Sequence, residues 1–130
     1  MIELEDVALT YAGRTGDVLA LDGTSLKVGR GEFAAVVGPS GCGKSTLMKL
    51  VTGLVPPSRG VVTVSGEKVR GPVKIAGMAF QNANMLPWRS VRDNVLLPLE
   101  IVEPYRSQFR SRKKEFEDRA EALLATVGLS

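Results

Sequence analysis

One glycine-rich segment contains residue types at a spacing that could bind a phosphate group. Its sequence runs Gly38-Pro39-Ser40-Gly41-Cys42-Gly43-Lys44-Ser45-Thr46. Two glycines with four residues between them, followed by lysine and a hydroxyl residue, form the P-loop pattern. Glycines let backbone N–H groups approach phosphate oxygens, Lys44 would place its charge on the β- and γ-phosphates, and the Ser45 hydroxyl would hold Mg²⁺. With the Thr46 hydroxyl near the α-phosphate, the segment predicts a nucleotide site.

The sequence on either side of this segment predicts the elements that a phosphate loop needs. Residues 33–37 are apolar without alternation, which is typical of a strand covered on both faces of a parallel sheet. A helix is predicted from about Lys44 to about Gly53, and its first turn would direct N–H groups at the same anion. Its apolar stripe comprises Leu47, Leu50, Val51 and Leu54. A glycine-rich turn without a ligand is the alternative, and this context disfavours it.

Further strands are predicted on both sides of the loop. Period-two alternation indicates a first strand between Ile2 and Tyr11, and a second extended segment runs from about Val18 to about Val28. Residues 61–69 have the pattern of a hairpin, and residues 75–80 predict another buried strand. These elements make the chain an α/β protein.

Two helices are predicted in the last third of the chain. Ser90 with Asp93 three residues later resembles a capping box and would open the first of them. The second runs from roughly Gln108 to Val127. Its apolar side comprises Phe109, Phe116, Ala120, Leu123, Leu124 and Val127. We interpret the charged residues between Arg110 and Glu121 as a solvated helix face rather than a nucleic-acid patch.

The composition fits a globular domain and excludes several kinds of chemistry. The 130 residues include 17 basic and 14 acidic side chains, and the formal net charge of +3 is too mild to imply nucleic acid. A single cysteine rules out a disulfide within the chain, and the lack of histidine excludes histidine-based catalysis. No stretch approaches the ~20 apolar residues that span a bilayer, so we expect a membrane link only through a partner.

Taken together, the motifs resemble the nucleotide-binding subunits of ATP-binding-cassette (ABC) transporters, over nearly the whole chain. The resemblance rests on the P-loop, on Tyr11 at the end of the first strand, on Gln81 after the strand 75–80, and on the segments 19–26 and 53–60. Residues 81–95 are similar to those of importers of the nitrate, sulfonate and taurine group. The resemblance implies a P-loop NTPase (RecA-like) core with an antiparallel β subdomain, of which residues 1–130 would be the N-terminal portion.

The same resemblance implies roles for single residues, with ATP and Mg²⁺ as cofactors. Tyr11 would stack on adenine, and Gln81 would reach Mg²⁺ or the attacking water. Lys44 and Gln81 would be the catalytic residues, and Ser45 and Gln81 would contact the metal. The cofactor-binding residues would be Tyr11, Gly38, Pro39, Ser40, Gly41, Cys42, Gly43, Lys44, Ser45 and Thr46. An ordinary strand-end aromatic and a polar surface-loop residue stay as alternatives for Tyr11 and Gln81, and we interpret Cys42 as a small filler rather than a redox residue.

The resemblance also implies partners and a location. A membrane-spanning permease subunit would contact the chain near Gln81 to Trp88, although the apolar cluster from Met85 to Trp88 could instead cap the core. A second ATP-binding subunit would pair with the chain, and a solute-binding protein would act indirectly. The protein would lie in the cytoplasm, peripheral on the inner face of the membrane. In the complete protein, ATP hydrolysis would drive the uptake of a small anion such as nitrate, sulfonate or taurine.

Several motifs of that family are missing from the chain. The signature motif, the Walker B acid with its glutamate, and the switch histidine would all lie beyond Ser130. Asp22 follows a short apolar run, but it precedes the P-loop and is followed by Gly23, so we interpret it as a strand or turn residue. We therefore expect ATP binding without turnover from this chain alone, and exposed apolar sheet surface. A soluble P-loop NTPase, such as a small-molecule kinase, and a non-catalytic nucleotide-binding remnant stay as alternatives.

Overall fold

The segments with alternating apolar residues form strands, and those with an apolar stripe form helices. These elements lie in two units, Met1–Met78 and Ala79–Ser130. The computed structural model describes residues 1–14, 16–80, 82 and 84–129. The first unit contains strands β1 (Ile2–Tyr11), β2 (Val18–Val28), β3 (Arg59–Val64) and β4 (Glu67–Lys68) and helix α1 (Lys44–Val51). The second contains helices α2 (Val91–Ile101), α3 (Tyr105–Gln108) and α4 (Lys113–Thr126).

The four strands form one antiparallel sheet in the order β2-β1-β3-β4. Strand β1 is central, and its Leu4 pairs with Leu26 of β2 on one side and Val62 of β3 on the other. The predictions of strands at both β1 and β2 and of a hairpin at β3 and β4 are confirmed. The antiparallel β subdomain expected from the sequence is therefore present.

The core of the first unit lies between this sheet and α1. Its buried members are Leu4, Val7, Leu9, Leu47, Leu50 and Val62. Leu47 and Leu50 come from the predicted helical stripe, which confirms both the helix and the side that it buries. Leu54, the last residue of that predicted stripe, lies beyond the end of α1 and is 48% exposed. The helix ends before Gly53, whose φ of 71° is a left-handed conformation that favours glycine at a helix C-terminus.

A bulge in the middle of β1 bends the sheet next to β3. The register of β1 shifts between Leu4 and Val7, and Asp6 takes a positive φ of 45°. The Asp6 N–H donates to the Ser25 Oγ at 3.0 Å, and its carboxylate pairs with Arg59 at 3.1 Å. A Cβ at Gly60 would meet the Glu5 carbonyl oxygen at 2.5 Å, so only glycine fits beside the bulge.

Two predicted strands are wrong. Residues 33–37 and 75–80 lie outside every strand in the part of the chain that the structure describes. Phe33 is 93% exposed and Ile75 is 76% exposed, although both runs were expected to be buried. A strand forms only when its N–H and C=O groups pair with a neighbour, and these runs have no such neighbour among the described residues. Apolar composition alone cannot supply one.

The second unit is built from the three helices around a smaller core. Leu96 of α2 packs with Phe116 and Ala120 of α4, and all three are buried. The Ser90 side chain accepts the Asp93 N–H at 3.1 Å, which confirms the predicted start of the helix at this residue. Arg92 of α2 and Glu121 of α4 form an ion pair at 3.1 Å across the two helices.

The last predicted helix is divided in two. The segment that was expected to be one helix from Gln108 to Val127 contains the end of α3 and the start of α4 at Lys113. Phe109 is half-buried, whereas Leu123 and Val127 are 55% and 69% exposed, so the buried stripe is narrower than predicted. The reason is that the apolar face of α4 extends beyond the part that α2 covers. Among the described residues, no helix is long and apolar enough to cross a membrane.

Candidate phosphate-binding site

The predicted P-loop residues form one continuous loop that leads into α1. Lys44, the first residue of the helix, turns its ammonium back over this loop. Its Nζ donates to the Gly38 carbonyl at 2.8 Å and to the Pro39 carbonyl at 2.6 Å. An ammonium has three N–H donors, and the third is directed at Cys42 Sγ at 3.5 Å, a weak acceptor that a ligand oxygen could replace. The backbone of the loop therefore holds the Lys44 ammonium in place.

Gly43 is the point where the loop must be glycine. Its φ is 98°, a left-handed conformation that side chains disfavour, and it is the N-cap of α1. A Cβ at this position would meet the Ala20 carbonyl oxygen of β2 at 2.7 Å and Leu21 Cδ2 at 3.5 Å. Gly43 therefore lets the loop pass close against β2 while its backbone begins the helix.

Cys42 fills space inside the loop. Its Sγ lies 3.5 Å from Lys44 Nζ, and a Cβ at Gly38 would meet the same sulfur at 2.8 Å. The side chain is exposed. Its packing against both ends of the loop fits the interpretation of Cys42 as a small filler residue.

The N-terminus of α1 presents hydroxyl and backbone groups at the loop. The Leu47 N–H donates to the Gly43 carbonyl at 2.9 Å, which is the first bond of the helix. Ser45 is exposed, whereas Thr46 is 9% exposed and lies on the packed side of the helix with Leu47. The Ser45 hydroxyl is therefore available for a cation, and the phosphate contact of Thr46 stays a prediction.

The two predicted ligand contacts outside the loop, those of Tyr11 and Gln81, both stay predictions. Tyr11 ends β1 and packs against the core of the first unit. Its hydroxyl is buried and has no hydrogen-bond partner within the described residues. Gln81 lies outside the described residues, so its contact with Mg²⁺ stays a prediction. The stacking of Tyr11 on adenine stays a prediction too.

Asp22 is an ordinary strand residue, as predicted. It lies within β2, and its carboxylate pairs with Arg59 of β3 at 3.5 Å. In residues 1–14, 16–80, 82 and 84–129, no group of three or more Asp, Glu or Cys side chains could hold a metal ion. The contact of the Ser45 hydroxyl with Mg²⁺ stays a prediction.

One feature of the site, the wall behind Gly43, could not be found from the motif. Ala20 and Leu21 form the wall behind Gly43, yet nothing in the P-loop pattern points to β2 as its neighbour. The sequence predicts β2 as an extended segment but does not indicate which loop it supports.

In the second unit, Trp88 was predicted either to face a partner or to cap the core. It is 77% exposed and therefore does not cap the core of its unit.

The phosphate loop and the fold around it agree with the comparisons with known proteins. The family model described as ABC transporter matches residues 21–130. The chain belongs to the ABC transporter family. This confirms the resemblance inferred from the P-loop, Tyr11 and the segments around α1.

The ABC relatives include several import proteins. The nitrate import ATP-binding protein NrtD of Synechocystis sp. is 39% identical over 128 residues, 98% of this chain and 46% of the relative. The methionine import ATP-binding protein MetN of Bacillus subtilis is 40% identical over 137 residues, 99% of this chain and 38% of the relative. The taurine import ATP-binding protein TauB of Escherichia coli is 39% identical over 102 residues, 78% of this chain and 38% of the relative. The chain thus spans less than half the length of these relatives.

Solved ABC structures have the same fold. A dimeric post-hydrolysis state of the ATP-binding cassette MJ0796, bound to ADP and Pi, superposes with a TM-score of 0.80 at 28% identity. The match covers 100% of this chain and 58% of that one. A second dimeric structure of MJ0796 has the same TM-score at 29% identity. The P-loop NTPase fold class with an antiparallel β subdomain is therefore confirmed.

Proposed function

We propose that this chain is the N-terminal portion, residues 1–130, of the ATP-binding domain of an ABC importer, and that it binds Mg-ATP. The observation that carries the proposal is the Lys44 ammonium, held at 2.8 and 2.6 Å by two carbonyls of a loop whose glycines leave its backbone open. Family membership supports a nucleotide as the ligand, since relatives are named ATP-binding proteins.

The chain's own residues fit an ATP phosphate chain with its Mg²⁺. Lys44 would exchange its weak contact with Cys42 Sγ for the β- and γ-phosphates, and the backbone N–H groups of the loop, which Pro39 lacks, would surround them. The Ser45 hydroxyl would hold Mg²⁺, which neutralises developing charge during phosphoryl transfer when it is bound. Tyr11 would contact adenine, and Gln81 would orient the metal or the attacking water.

We propose that the complete protein hydrolyses ATP and that this chain alone binds ATP without turnover. Phosphoryl transfer needs an acidic ligand for Mg²⁺ and a group that positions water. Asp22, the acid that follows an apolar run, is engaged by Arg59 in the sheet. Lys44 and Ser45 would therefore supply binding, and neither of them is the acidic Mg²⁺ ligand that turnover needs.

The proposed partners are a second ATP-binding subunit, a membrane-spanning permease subunit and, indirectly, a solute-binding protein. The dimeric structures of MJ0796 support pairing of two cassettes. Exposed Met85 and Trp88, in the segment predicted to contact the permease, support that contact. We propose that the protein lies in the cytoplasm, peripheral on the inner face of the membrane.

The proposed transported solute is a small anion such as nitrate, sulfonate or taurine. The nitrate and taurine import relatives support this class. The methionine import relative is similarly close, so whole-chain identity does not separate an inorganic anion from an amino acid. Transport assays with the complete protein and its membrane partner would distinguish them.

Calorimetric titration of the 130-residue chain with ATP and Mg²⁺ tests the proposal. We expect Lys44→Ala to weaken binding at least about tenfold, because a hydrogen bond to a charged group contributes ~1.5–3 kcal/mol. Lys49→Ala is the matched control, since it removes the same charge from the last turn of the same helix. Ser45→Ala should reduce the part of the affinity that depends on Mg²⁺.

Two results would contradict the proposal. Equal ATP affinity in Lys44→Ala and Lys49→Ala would exclude the loop as the phosphate site. Clear ATP hydrolysis by the purified chain, abolished by Lys44→Ala, would show that the chain contains the complete catalytic machinery and would overturn the expected lack of turnover.

A further inference from the structure

A closed turn in the second unit holds the chain's single tryptophan outward. The Arg89 N–H donates to the Leu86 carbonyl at 3.1 Å, which closes a four-residue β-turn. Pro87 occupies the second position, where its ring fixes φ at a value that such turns require. Trp88 follows at the third position and is 77% exposed. The turn thus carries a large apolar side chain at its tip.

Asn94 of α2 binds this turn with both ends of its side-chain amide. Its Oδ1 accepts the Leu86 N–H at 2.7 Å, and its Nδ2 donates to the Leu86 carbonyl at 3.1 Å. The same Nδ2 lies 3.3 Å from the Arg89 carbonyl and 2.9 Å from the Ser90 carbonyl. The acceptor end meets an N–H and the donor end meets carbonyls, so the amide has one consistent orientation.

A second contact ties the turn to the other end of the helix. Arg89 Nη1 donates to Glu100 Oε2 at 2.9 Å, and both side chains are 31% exposed. Glu100 lies in the last turn of α2, whereas Asn94 lies in its first half. Leu86 and Arg89 are the first and last residues of the turn. Both ends of the turn are therefore bound to α2, one by Asn94 and the other by Glu100.

The position of Asn94 is unusual for a residue that serves the helix alone. Asparagine is a weak helix former because its side chain competes for backbone groups, and here it bonds to backbone outside the helix. With Trp88 exposed, the fold also forgoes the stabilisation that burial of a large apolar side chain would give. A preordered aromatic side chain binds a partner with less loss of conformational entropy.

We propose that Asn94 is a positioning residue that orders the Leu86–Arg89 turn and so presents Trp88 to the membrane-spanning subunit. The inference rests on the proposed function for the identity of that partner. The ordering of the turn by Asn94 is a property of this chain alone, and it can be measured without the partner.

Hydrogen exchange of the unaltered chain provides the first test. If Asn94 holds the turn, the Leu86 amide hydrogen exchanges slowly, because its acceptor is the Asn94 Oδ1. In Asn94→Ala we expect about a tenfold loss of that protection, the factor that corresponds to one hydrogen bond. Exchange of the Leu86 amide at the rate of an unstructured peptide in the unaltered chain would overturn the proposal, and this result requires no variant to fold.

Time-resolved fluorescence anisotropy of Trp88 provides the second test. Since Trp88 is the single tryptophan, its emission reports the turn directly. We expect Asn94→Ala to increase the amplitude of fast local motion, with helix content unchanged by circular dichroism. Asn84→Ala, which removes the same group from an exposed position in the preceding segment, should leave the decay unchanged. Identical decays in the unaltered chain and Asn94→Ala would overturn the proposal.

Association with the membrane-spanning subunit separates this inference from the proposed function. When the complete transporter is co-expressed, Trp88→Ala and Asn94→Ala should both reduce its co-purification with the cassette, and Asn84→Ala should not. Loss with Trp88→Ala but not with Asn94→Ala would overturn the positioning role while the partner surface stands. No loss with Trp88→Ala would contradict the partner surface proposed for this segment, and with it the presentation of Trp88 to that subunit.

Discussion

Lys44 has two tasks in the loop, and they cannot be removed separately. Its ammonium binds the carbonyls of Gly38 and Pro39, and it is also the cation expected to meet phosphate. Replacing it would delete the charge and release the loop that the charge organises. A Lys44→Ala phenotype therefore reports both effects, and Ser45→Ala is the variant that changes ligand contacts with less effect on the loop.

Gly43→Ala should destabilise the first unit more than Gly41→Ala. Both residues have a positive φ, 98° and 82°, so alanine adds backbone strain of roughly 1–2 kcal/mol at either site. Only at Gly43 would the new Cβ meet a backbone atom, the Ala20 carbonyl oxygen at 2.7 Å, whereas Gly41 has open space within 4 Å. We expect an additional cost of about 1–3 kcal/mol at Gly43, measured by urea unfolding at unchanged slope. Equal losses would contradict the packing of the loop against β2.

At this scale the sequence predicts the site's chemistry but not its surroundings. The spacing of Gly38, Gly43, Lys44 and Ser45 is local, so the motif alone indicates which atoms meet a phosphate. Ala20 lies more than twenty residues earlier, and only the folded chain brings its carbonyl to Gly43. The Asn94 amide was missed for a related reason, since bonds from a side chain to backbone leave no periodic pattern.

The start of α2 contains a carboxyl group whose lowered pKa predicts that stability depends on pH. The Ser90 side-chain hydrogen bond, aided by Arg92, lowers the pKa of Asp93 below its ordinary value of 3.8. A carboxyl group with a lowered pKa stabilises the folded state above the unfolded-state value, and that contribution disappears as pH falls through the lower folded-state value. The stabilisation from Asp93 should therefore be complete at pH 7 and lost below about 3.8.

Comparison of the unaltered chain with Asp93→Asn by thermal unfolding measures this dependence. We expect Asp93→Asn to be less stable at pH 7 and to approach the unaltered chain as pH falls below 3.8. Ser90→Ala should reduce the difference between them, because Ser90 makes the largest contribution to the lowered pKa. A difference that grows on acidification would contradict the assigned sign.

Ser90→Ala by itself should destabilise the second unit by about 1 kcal/mol, the usual cost of losing an N-cap side chain. The Asp93 N–H would lose its acceptor, and α2 would start without a cap. Chemical unfolding followed by helical circular dichroism measures the change. Ser111→Ala is a suitable control, since Ser111 bonds only to the Gln108 carbonyl in an exposed segment.

The elements predicted correctly are those that local pattern and turns define. Alternation predicted β1, and the extended pattern of residues 18–28 predicted β2. The hairpin pattern of residues 61–69 predicted β3 and β4, and the cap at Ser90 predicted the start of α2. The runs at 33–37 and 75–80 were predicted as strands from composition, but a strand depends on neighbours that composition does not reveal. For the same reason the break between α3 and α4 could not be placed from the apolar stripe alone.

At the scale of the whole molecule, the exposed run 33–37 should make the chain bind apolar dyes. Phe33 and Val37 are 93% and 88% exposed. Phe33→Ser combined with Val37→Thr should reduce dye fluorescence while changing the free energy of unfolding by no more than ~0.5 kcal/mol, as expected for surface positions. The measurement is a dye titration with urea unfolding in parallel.

The control for that experiment is a core position. Leu50 is fully buried between α1 and the sheet, so Leu50→Ala should cost ~2–5 kcal/mol. If the double substitution at Phe33 and Val37 destabilised the chain as strongly as Leu50→Ala, the run would be part of a packed core.

The close packing of Gly43 against Ala20 couples ligand binding at the loop to the local stability of an edge strand. Strand β2 lies at one edge of the sheet, where backbone hydrogen bonds break more readily than in its centre. A ligand that orders the loop would also stabilise β2, because the loop packs against this strand. Linkage requires that ordering of β2 favours ligand binding by the same free energy. If the loop binds phosphate as proposed, fraying of β2 at Ala20 should weaken that binding, and any contact that stabilises this edge should strengthen it.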